Sequence, residues 1–73
     1  MNLEDSIVYL QVTMSSYLIN RWRITPQKFV EMDKKYNLLW YIRLCYEPFH
    51  LIGDEGIAEE IERFIKDQGG VIC

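Results

Sequence analysis

The residues of this chain that could perform chemistry are its single histidine, His50, and two cysteines, Cys45 and Cys73. Nucleophilic catalysis would require His50 to activate a cysteine thiol, and a third group to orient the imidazole. Cys45 lies five positions before His50 and could approach it across a helix end, but no recognisable third group accompanies the pair. We therefore expect packing roles for both side chains, and we predict no catalytic residue and no enzymatic activity.

A zinc site has equally little support. Cys45, His50 and Cys73 would provide three ligands, whereas structural zinc takes four at tight spacing, and the chain contains no Cys-x-x-Cys pair. We predict no metal and no cofactor. Two cysteines do not make a secreted disulfide framework, and the first five residues lack the basic region of a signal peptide, so we expect a cytoplasmic protein. Charged residues interrupt every long apolar run, so we expect no membrane span.

His50 also lies in an aromatic-rich stretch from Tyr36 to Gly53, and its role has two interpretations. In the first, a partly buried imidazole hydrogen-bonds a nearby carbonyl or Glu47 and fixes the loop before the last helix. In the second, His50 forms a recognition patch together with Tyr46 and Glu47. The sequence leaves both open.

The elements that must position these residues are helices. In the first segment, apolar side chains recur at spacings of three and four, which predicts a helix, and Asp5 or Ser6 can cap its start. A second apolar set on an adjoining stripe makes the apolar arc wide for so small a domain. The first stripe is Ile7, Leu10, Met14, Tyr17 and Leu18, and the second is Val8, Val12 and Ile19.

A second helix is predicted from Pro26 to about Tyr36. Thr25 is a good N-cap, and the missing N–H of Pro26 costs nothing at the first helical position. Asn37 tolerates the left-handed conformation that closes many helices, so we expect a sharp break there. The side chains expected to pack inward are Phe29, Val30 and Met32.

A short third helix should run from Leu38 to about Cys45 and bury Leu39 and Ile42, with Tyr46 as a further candidate. Pro48 should prevent its continuation through Glu47, so a connecting loop is predicted before the last helix. That last helix should be capped by Asp54 and ended by Gly69 and Gly70. Its apolar stripe is Ile57, Ile61, Phe64 and Ile65, and its expected ion pairs are Glu59 with Arg63 and Glu62 with Lys66.

These elements predict an all-α fold, a compact bundle of four short helices. A chain of 73 residues has room for one domain, residues 1–73, in which we expect residues 1–5 and 70–73 to fray. Such a chain buries only about 60% of the surface that its unfolded form exposes, so its stability should be marginal and a protein partner would be the natural remedy.

The wide apolar arc of the first helix predicts where that partner binds. One stripe should face the domain's own core and leave the other for a second subunit or a different protein. Tryptophan side chains commonly dominate binding energy at such surfaces. The predicted contact residues are Val8, Val12 and Ile19 on the first helix, with Trp22 and Trp40 as aromatic anchors.

Nucleic-acid binding is the alternative, because the net charge of -3 is unevenly distributed. Residues 21–45 carry six basic groups and two acidic ones, whereas residues 46–73 carry seven acidic groups and two basic ones. The two predicted middle helices also imitate a helix-turn-helix. However, the second helix of that motif must present polar side chains to base edges, and here it would present Leu38, Leu39 and Trp40. We therefore expect a protein partner rather than nucleic acid.

Several short motifs of this chain resemble those of a known protein family. The motifs are Lys35-Tyr36-Asn37, Tyr41-Ile42, Tyr46-Glu47, Phe49-His50, Gly53, Glu60-Ile61 and Phe64-Ile65. From about Ile7 to Gly69 the chain resembles a family of short bacterial proteins classed as a domain of unknown function. Its members typically read Lys-Tyr-Gly, then Tyr-Ile or Tyr-Leu, then Tyr-Asp, Leu-His and Gly, and then Asp-Ile before a closing Tyr-Ile. Asn37, Glu47 and Phe49 replace the usual Gly, Asp and Leu, and Pro48 departs from the pattern.

The resemblance also implies which genes neighbour this one and which partner the protein has. Genes of that family look to be often found beside those for proteins similar to ADP-ribosyltransferases, in arrangements reminiscent of toxin–antitoxin pairs. The chain would then be the small accessory or neutralising partner of a larger toxin-like enzyme. Together with the apolar arc, this predicts a non-enzymatic protein-interaction module that forms a homo-oligomer or a hetero-oligomer.

Overall fold

The computed structural model describes residues 2–71, which form five helices and contain no strand. The helices are α1 (Leu3–Trp22), α2 (Pro26–Tyr36), α3 (Leu38–Leu44), α4 (Tyr46–Phe49) and α5 (Asp54–Asp67). The predicted all-α class is confirmed, with the four expected helices and one additional turn, α4. Met1, Ile72 and Cys73, which belong to the ends predicted to fray, lie outside the described residues.

Helix α1 starts earlier than the sequence suggested. The Asn2 side chain accepts a hydrogen bond from the Asp5 N–H at 2.8 Å, so Asn2 is the N-cap, and the prediction of Asp5 or Ser6 is wrong. Leu3 is already helical. The helix ends at Trp22, and the capping residue Arg23 adopts the left-handed conformation with φ of 56°. At about 1.5 Å per residue its 20 residues extend roughly 30 Å, close to the 34 Å long axis of the molecule.

Helix α2 begins and ends at the residues that the sequence predicted. Thr25 Oγ1 accepts a hydrogen bond from an N–H in the first turn of α2, and Pro26 is the first helical residue. Asn37 adopts φ of 59° and ψ of 51° and ends α2. The Asp33 carboxylate then accepts a hydrogen bond from the Leu39 N–H at 2.8 Å, so the end of α2 also holds the first turn of α3.

The segment after α3 corrects a prediction. The chain was expected to form a loop from Glu47 onward, but Tyr46–Phe49 form the short helix α4 after an interruption at Cys45. Pro48 is the third residue of α4, where a backbone N–H has no partner within the helix, so its missing donor costs no hydrogen bond. Pro48 therefore prevents α3 from continuing but permits the new helix α4 to begin.

The core lies where α1, α3 and α5 meet, and α2 packs against α1 and α3. Phe29 and Met32 of α2 are buried as predicted, whereas Val30 is 50% exposed. The inner face of α2 uses positions three and four apart, and Val30 is one position off that face. The most deeply buried side chains are Met14, Leu18, Leu38, Ile42, Ile57, Ala58, Ile61 and Ile65.

Helix α5 has the predicted apolar stripe but different polar contacts. Gly53 is its N-cap and Asp54 its first helical residue, so the predicted Asp54 cap is wrong. Its charged side chains do not form the two pairs expected four residues apart. Arg63 pairs with Glu60 at 2.9 Å, and Glu62 pairs with Arg21 of α1 at 2.8 Å, because α5 lies beside α1 and offers Glu62 a partner there.

The chain turns back after α5, which gives a stability prediction. The Gly70 N–H donates to the Ile65 carbonyl at 3.0 Å, and a Cβ added at Gly70 would lie 2.5 Å from the Tyr36 hydroxyl oxygen. Gly70→Ala should therefore lower the free energy of unfolding by about 1–3 kcal/mol through overpacking. Urea unfolding followed by circular dichroism measures this change.

Gly53→Ala is the matched control. No atom lies within 4 Å of a Cβ placed at Gly53, and its backbone conformation suits alanine. The weaker capping by alanine is offset by the reduced freedom of the unfolded chain. Equal stability of the Gly70→Ala variant and the wild type would show that this close approach is absent.

Candidate protein-interaction surface

Large apolar side chains remain exposed along α1 and α3. Val12 is 62% exposed, Trp40 is 55% exposed and Val8 is 43% exposed. Val8 and Val12 are four residues apart, so they lie one above the other on the same side of α1. Three of the five predicted partner-binding residues are therefore accessible to a partner.

Two contacts between α1 and α3 fix where these residues lie. The Gln11 side chain donates to the Leu39 carbonyl at 2.8 Å, and the Arg43 guanidinium donates to both oxygens of Glu4 at 2.8 and 2.7 Å. Both contacts lie along one seam between the helices. Val8 falls between Glu4 and Gln11 along α1, and Trp40 falls between Leu39 and Arg43 along α3.

The exposed residues beside this seam form one surface, which we call the α1–α3 face: Val8, Val12, Trp40 and Leu44. Leu44 is 63% exposed and lies one turn after Trp40 on the same side of α3. The sequence analysis did not include Leu44 among the contact residues, although its spacing of four from Trp40 is a signal that identifies it.

The other two predicted contact residues lie elsewhere. Ile19 is partly buried against the core, and so is Trp22. The Trp22 indole N–H donates to a Glu62 oxygen at 2.9 Å, and Arg21 donates to the same oxygen at 2.8 Å. Trp22 thus helps join α1 to α5, and the structure does not bring it to the α1–α3 face.

Glu4 and Arg43, which lie beside the face, are paired with each other, whereas Asp5 lies next to Val8 and Val12 without an ion-pair partner among the described residues. The Arg43 hydrogen bonds hold the pKa of the Glu4 carboxyl below its usual value, and Glu4 in turn raises the pKa of Arg43. Of the six basic residues between 21 and 45, Arg21 and Arg43 are therefore engaged by acids. The remaining four, Arg23, Lys28, Lys34 and Lys35, are exposed on α2 and before it.

The residues of the predicted recognition loop lie on and after α4. The His50 ring stacks on the Tyr46 ring with centroids 4.9 Å apart, and His50 Nε2 is 3.5 Å from a Glu47 oxygen. The three side chains are together, as the recognition-patch interpretation of His50 requires, and the approach to Glu47 is the contact named in the other interpretation. His50 is exposed rather than buried, and Gly53 supplies the N-cap of α5.

Cys45 is partly buried and free. It lies close to Tyr41, whose pKa is raised by burial and also by the neighbouring thiol. The contacts of His50 are instead with Tyr46 and Glu47. Within residues 2–71, no group of three or more His, Cys, Asp or Glu side chains could hold a metal ion, and Cys73 lies outside that range.

The comparisons with known proteins give a family. A family model described as a protein of unknown function (DUF3791) matches residues 11–68, from within α1 to the end of α5. Neither a curated protein nor a solved structure matches the chain. Over residues 2–71, none of the helices combines the length and the apolar character needed to cross a bilayer.

The contact between α1 and α5 predicts a pH dependence of stability. Hydrogen bonds from Arg21 and from Trp22 lower the pKa of Glu62 below the ordinary glutamate value of 4.5. A lowered pKa in the folded state contributes stability above the unfolded pKa, and that contribution is lost as the pH falls through the folded value. In Glu62→Gln the decline in unfolding free energy below about pH 4.5 should be shallower than in the wild type, by on the order of 1 kcal/mol.

Glu59→Gln provides the comparison, since it removes the same charge from an exposed position of the same helix. Its acid-unfolding curve, measured by tryptophan fluorescence in urea at several pH values, should run parallel to that of the wild type. A parallel curve for Glu62→Gln as well would contradict the proposed linkage.

Proposed function

The chain belongs to the DUF3791 family, whose members are proteins of unknown function, and from that premise we propose that it is a small non-enzymatic module that binds another protein through the α1–α3 face. The observation that carries this proposal is the exposure of Val12 and Trp40, each more than half accessible, on neighbouring helices of one face. Single exposed apolar residues are ordinary, whereas a contiguous exposed set marks an interaction site.

The energy available at this face favours association. A tryptophan side chain can bury about 150–250 Å². Covering the exposed half of Trp40 therefore removes on the order of 100 Å² from water, and at about 25 cal/mol per Å² this contributes roughly 2–3 kcal/mol. Trp40 projects from a helix that is held by Arg43 and Leu39, so little additional ordering is required on binding.

Two partners fit this proposal. The first is a second copy of the chain, in which the same apolar face would pack against itself about a two-fold axis. The second, which rests on the family resemblance, is a larger toxin-like enzyme similar to ADP-ribosyltransferases, with the present chain as its accessory or neutralising partner in the bacterial cytoplasm. Both use the α1–α3 face, and they differ in the mass of the complex.

Nucleic-acid binding has weaker support. Arg21 and Arg43 are already paired with acids, and the exposed face of α3 carries Trp40 and Leu44 rather than polar side chains suited to base edges. The lysines of α2 are interleaved with Glu31 and Asp33. A mobility shift of duplex DNA that weakens with added salt would favour this alternative.

Val12→Asp tests the proposed surface. Because Val12 is exposed, the variant should keep the helical circular dichroism spectrum and lose no more than about 0.5 kcal/mol of stability. A charge placed in an apolar interface should weaken association by at least tenfold, which is about 1.4 kcal/mol. Light scattering across a concentration series measures self-association, and the same measurement with the neighbouring-gene enzyme measures the hetero-complex.

Asn20→Asp is the matched control, since it adds the same charge to an exposed position of α1 away from the face. It should leave the mass of the complex unchanged. A chain that is monomeric at all concentrations and binds the enzyme equally well with either substitution would overturn the proposal.

A further inference from the structure

The exposed surface beside Val12 continues along the outer side of α1. Ser16 and Arg23 follow on that side, about one turn and about three turns after Val12, and both are exposed. In the other direction, a shallow depression of about 430 Å³ is lined by Asp5, Val8, Tyr9 and Val12. An accessible strip therefore runs the whole length of α1, and α3 flanks only its first half.

Each end of this strip carries one charge that has no ion-pair partner within the molecule. At the first end Asp5 is left over, because Glu4 pairs with Arg43. At the other end Arg23 is left over, because Arg21 pairs with acidic residues of α5. Within residues 2–71, neither Asp5 nor Arg23 forms an ion pair. The strip is therefore acidic at one end and basic at the other.

The spacing of these two charges suits a second copy of the chain. Asp5 and Arg23 are 18 residues apart, which is five turns and about 27 Å, so their positions lie on the same side of α1. The midpoint between them lies between Val12 and Ser16. A two-fold axis through this midpoint brings Asp5 of each copy beside Arg23 of the other, because a two-fold interface is self-complementary.

The same axis gives a favourable packing of the two α1 helices. They run antiparallel, so the opposite ends of their macrodipoles lie side by side. Val12 of each copy meets the partner's Ser16, whose small side chain leaves room for a helix separation of about 8–10 Å. A strip of about 27 Å in length and one to two helix diameters in width covers roughly 300–600 Å² on each copy. This total is at the lower limit for a specific interface, so the expected dimer is weak.

We infer that two copies of this chain pair through the outer side of α1, with the two helices antiparallel and with two symmetry-related contacts between Asp5 and Arg23. The inference rests on the proposed function, since it names a second copy as the protein that the α1–α3 face binds. Trp40 and Leu44 of each copy then lie alongside the second half of the partner's α1.

Charge reversal tests the antiparallel arrangement. Asp5→Lys places two cations together at both ends of the dimer, and Arg23→Glu places two carboxylates together there. Each variant should raise the dimer dissociation constant about tenfold, measured by sedimentation equilibrium of the full chain at low salt. Because exposed charges are screened, this increase should shrink when sodium chloride is raised to about 0.5 M.

The double variant Asp5→Lys/Arg23→Glu restores an opposite pair at each end. Its dissociation constant should return to within about twofold of the wild-type value, since the same two exposed pairs form with their signs exchanged. A parallel pair of helices would place Asp5 beside Asp5 and Arg23 beside Arg23. In that arrangement neither single reversal would weaken the dimer.

Asp54→Lys is the matched control. It makes the same charge change at an exposed residue in the first turn of α5 and leaves α1 unchanged. Its dissociation constant should equal that of the wild type. Asp5, Arg23 and Asp54 are all exposed, so every variant should keep the helical circular dichroism spectrum.

Three outcomes would overturn the inference: a wild-type chain that is monomeric at all concentrations, single reversals that leave the dissociation constant unchanged, or a double variant no tighter than the single ones. The proposed function fails separately. If Val12→Asp weakens an association that the charge reversals leave unchanged, the α1–α3 face is a binding surface and only the antiparallel pairing is wrong.

Discussion

Everything in this fold depends on covering one long helix with short ones. Helix α1 extends roughly 30 Å, whereas the seven residues of α3 extend only about 10 Å along its flank. Met14 and Leu18 of α1 are completely buried, so the inner side of the helix is fully used. Residues 2–71 contain no further helix that could cover Val8 and Val12, so both side chains stay exposed.

Helices α2, α3 and α5 are nevertheless held firmly, because each is attached by polar contacts as well as by packing. Asp33 joins α2 to the first turn of α3, and Arg43 joins α3 to Glu4 at the other end of the seam. Glu62 joins α5 to α1 through Arg21 and the Trp22 indole. The exposed apolar side chains therefore project from a backbone that needs little rearrangement to bind a partner.

Local sequence signals predicted most of this fold, and long-range contacts account for most of what they missed. Thr25 and Asn37 act through their own backbone neighbourhood, so their roles are readable from the sequence alone. The sequence suggested Lys66 as the partner of Glu62. In the structure Glu62 pairs instead with Arg21, which is 41 positions away and becomes adjacent only when the chain folds. The prediction of a loop at Pro48 failed for a different reason, since the effect of a proline depends on its position within a helical turn.

The same distinction applies to the candidate surfaces. The hydrophobic pattern of α1 was enough to predict Val8 and Val12 as an unpartnered stripe, but it could not separate them from Ile19, which the core partly covers. No pattern in the sequence predicted the groove that lies between α1, α4 and α5. The groove exists because α4 forms where a loop was expected, and α4 brings Tyr46 to the same groove as Ser6 and Thr13 of α1.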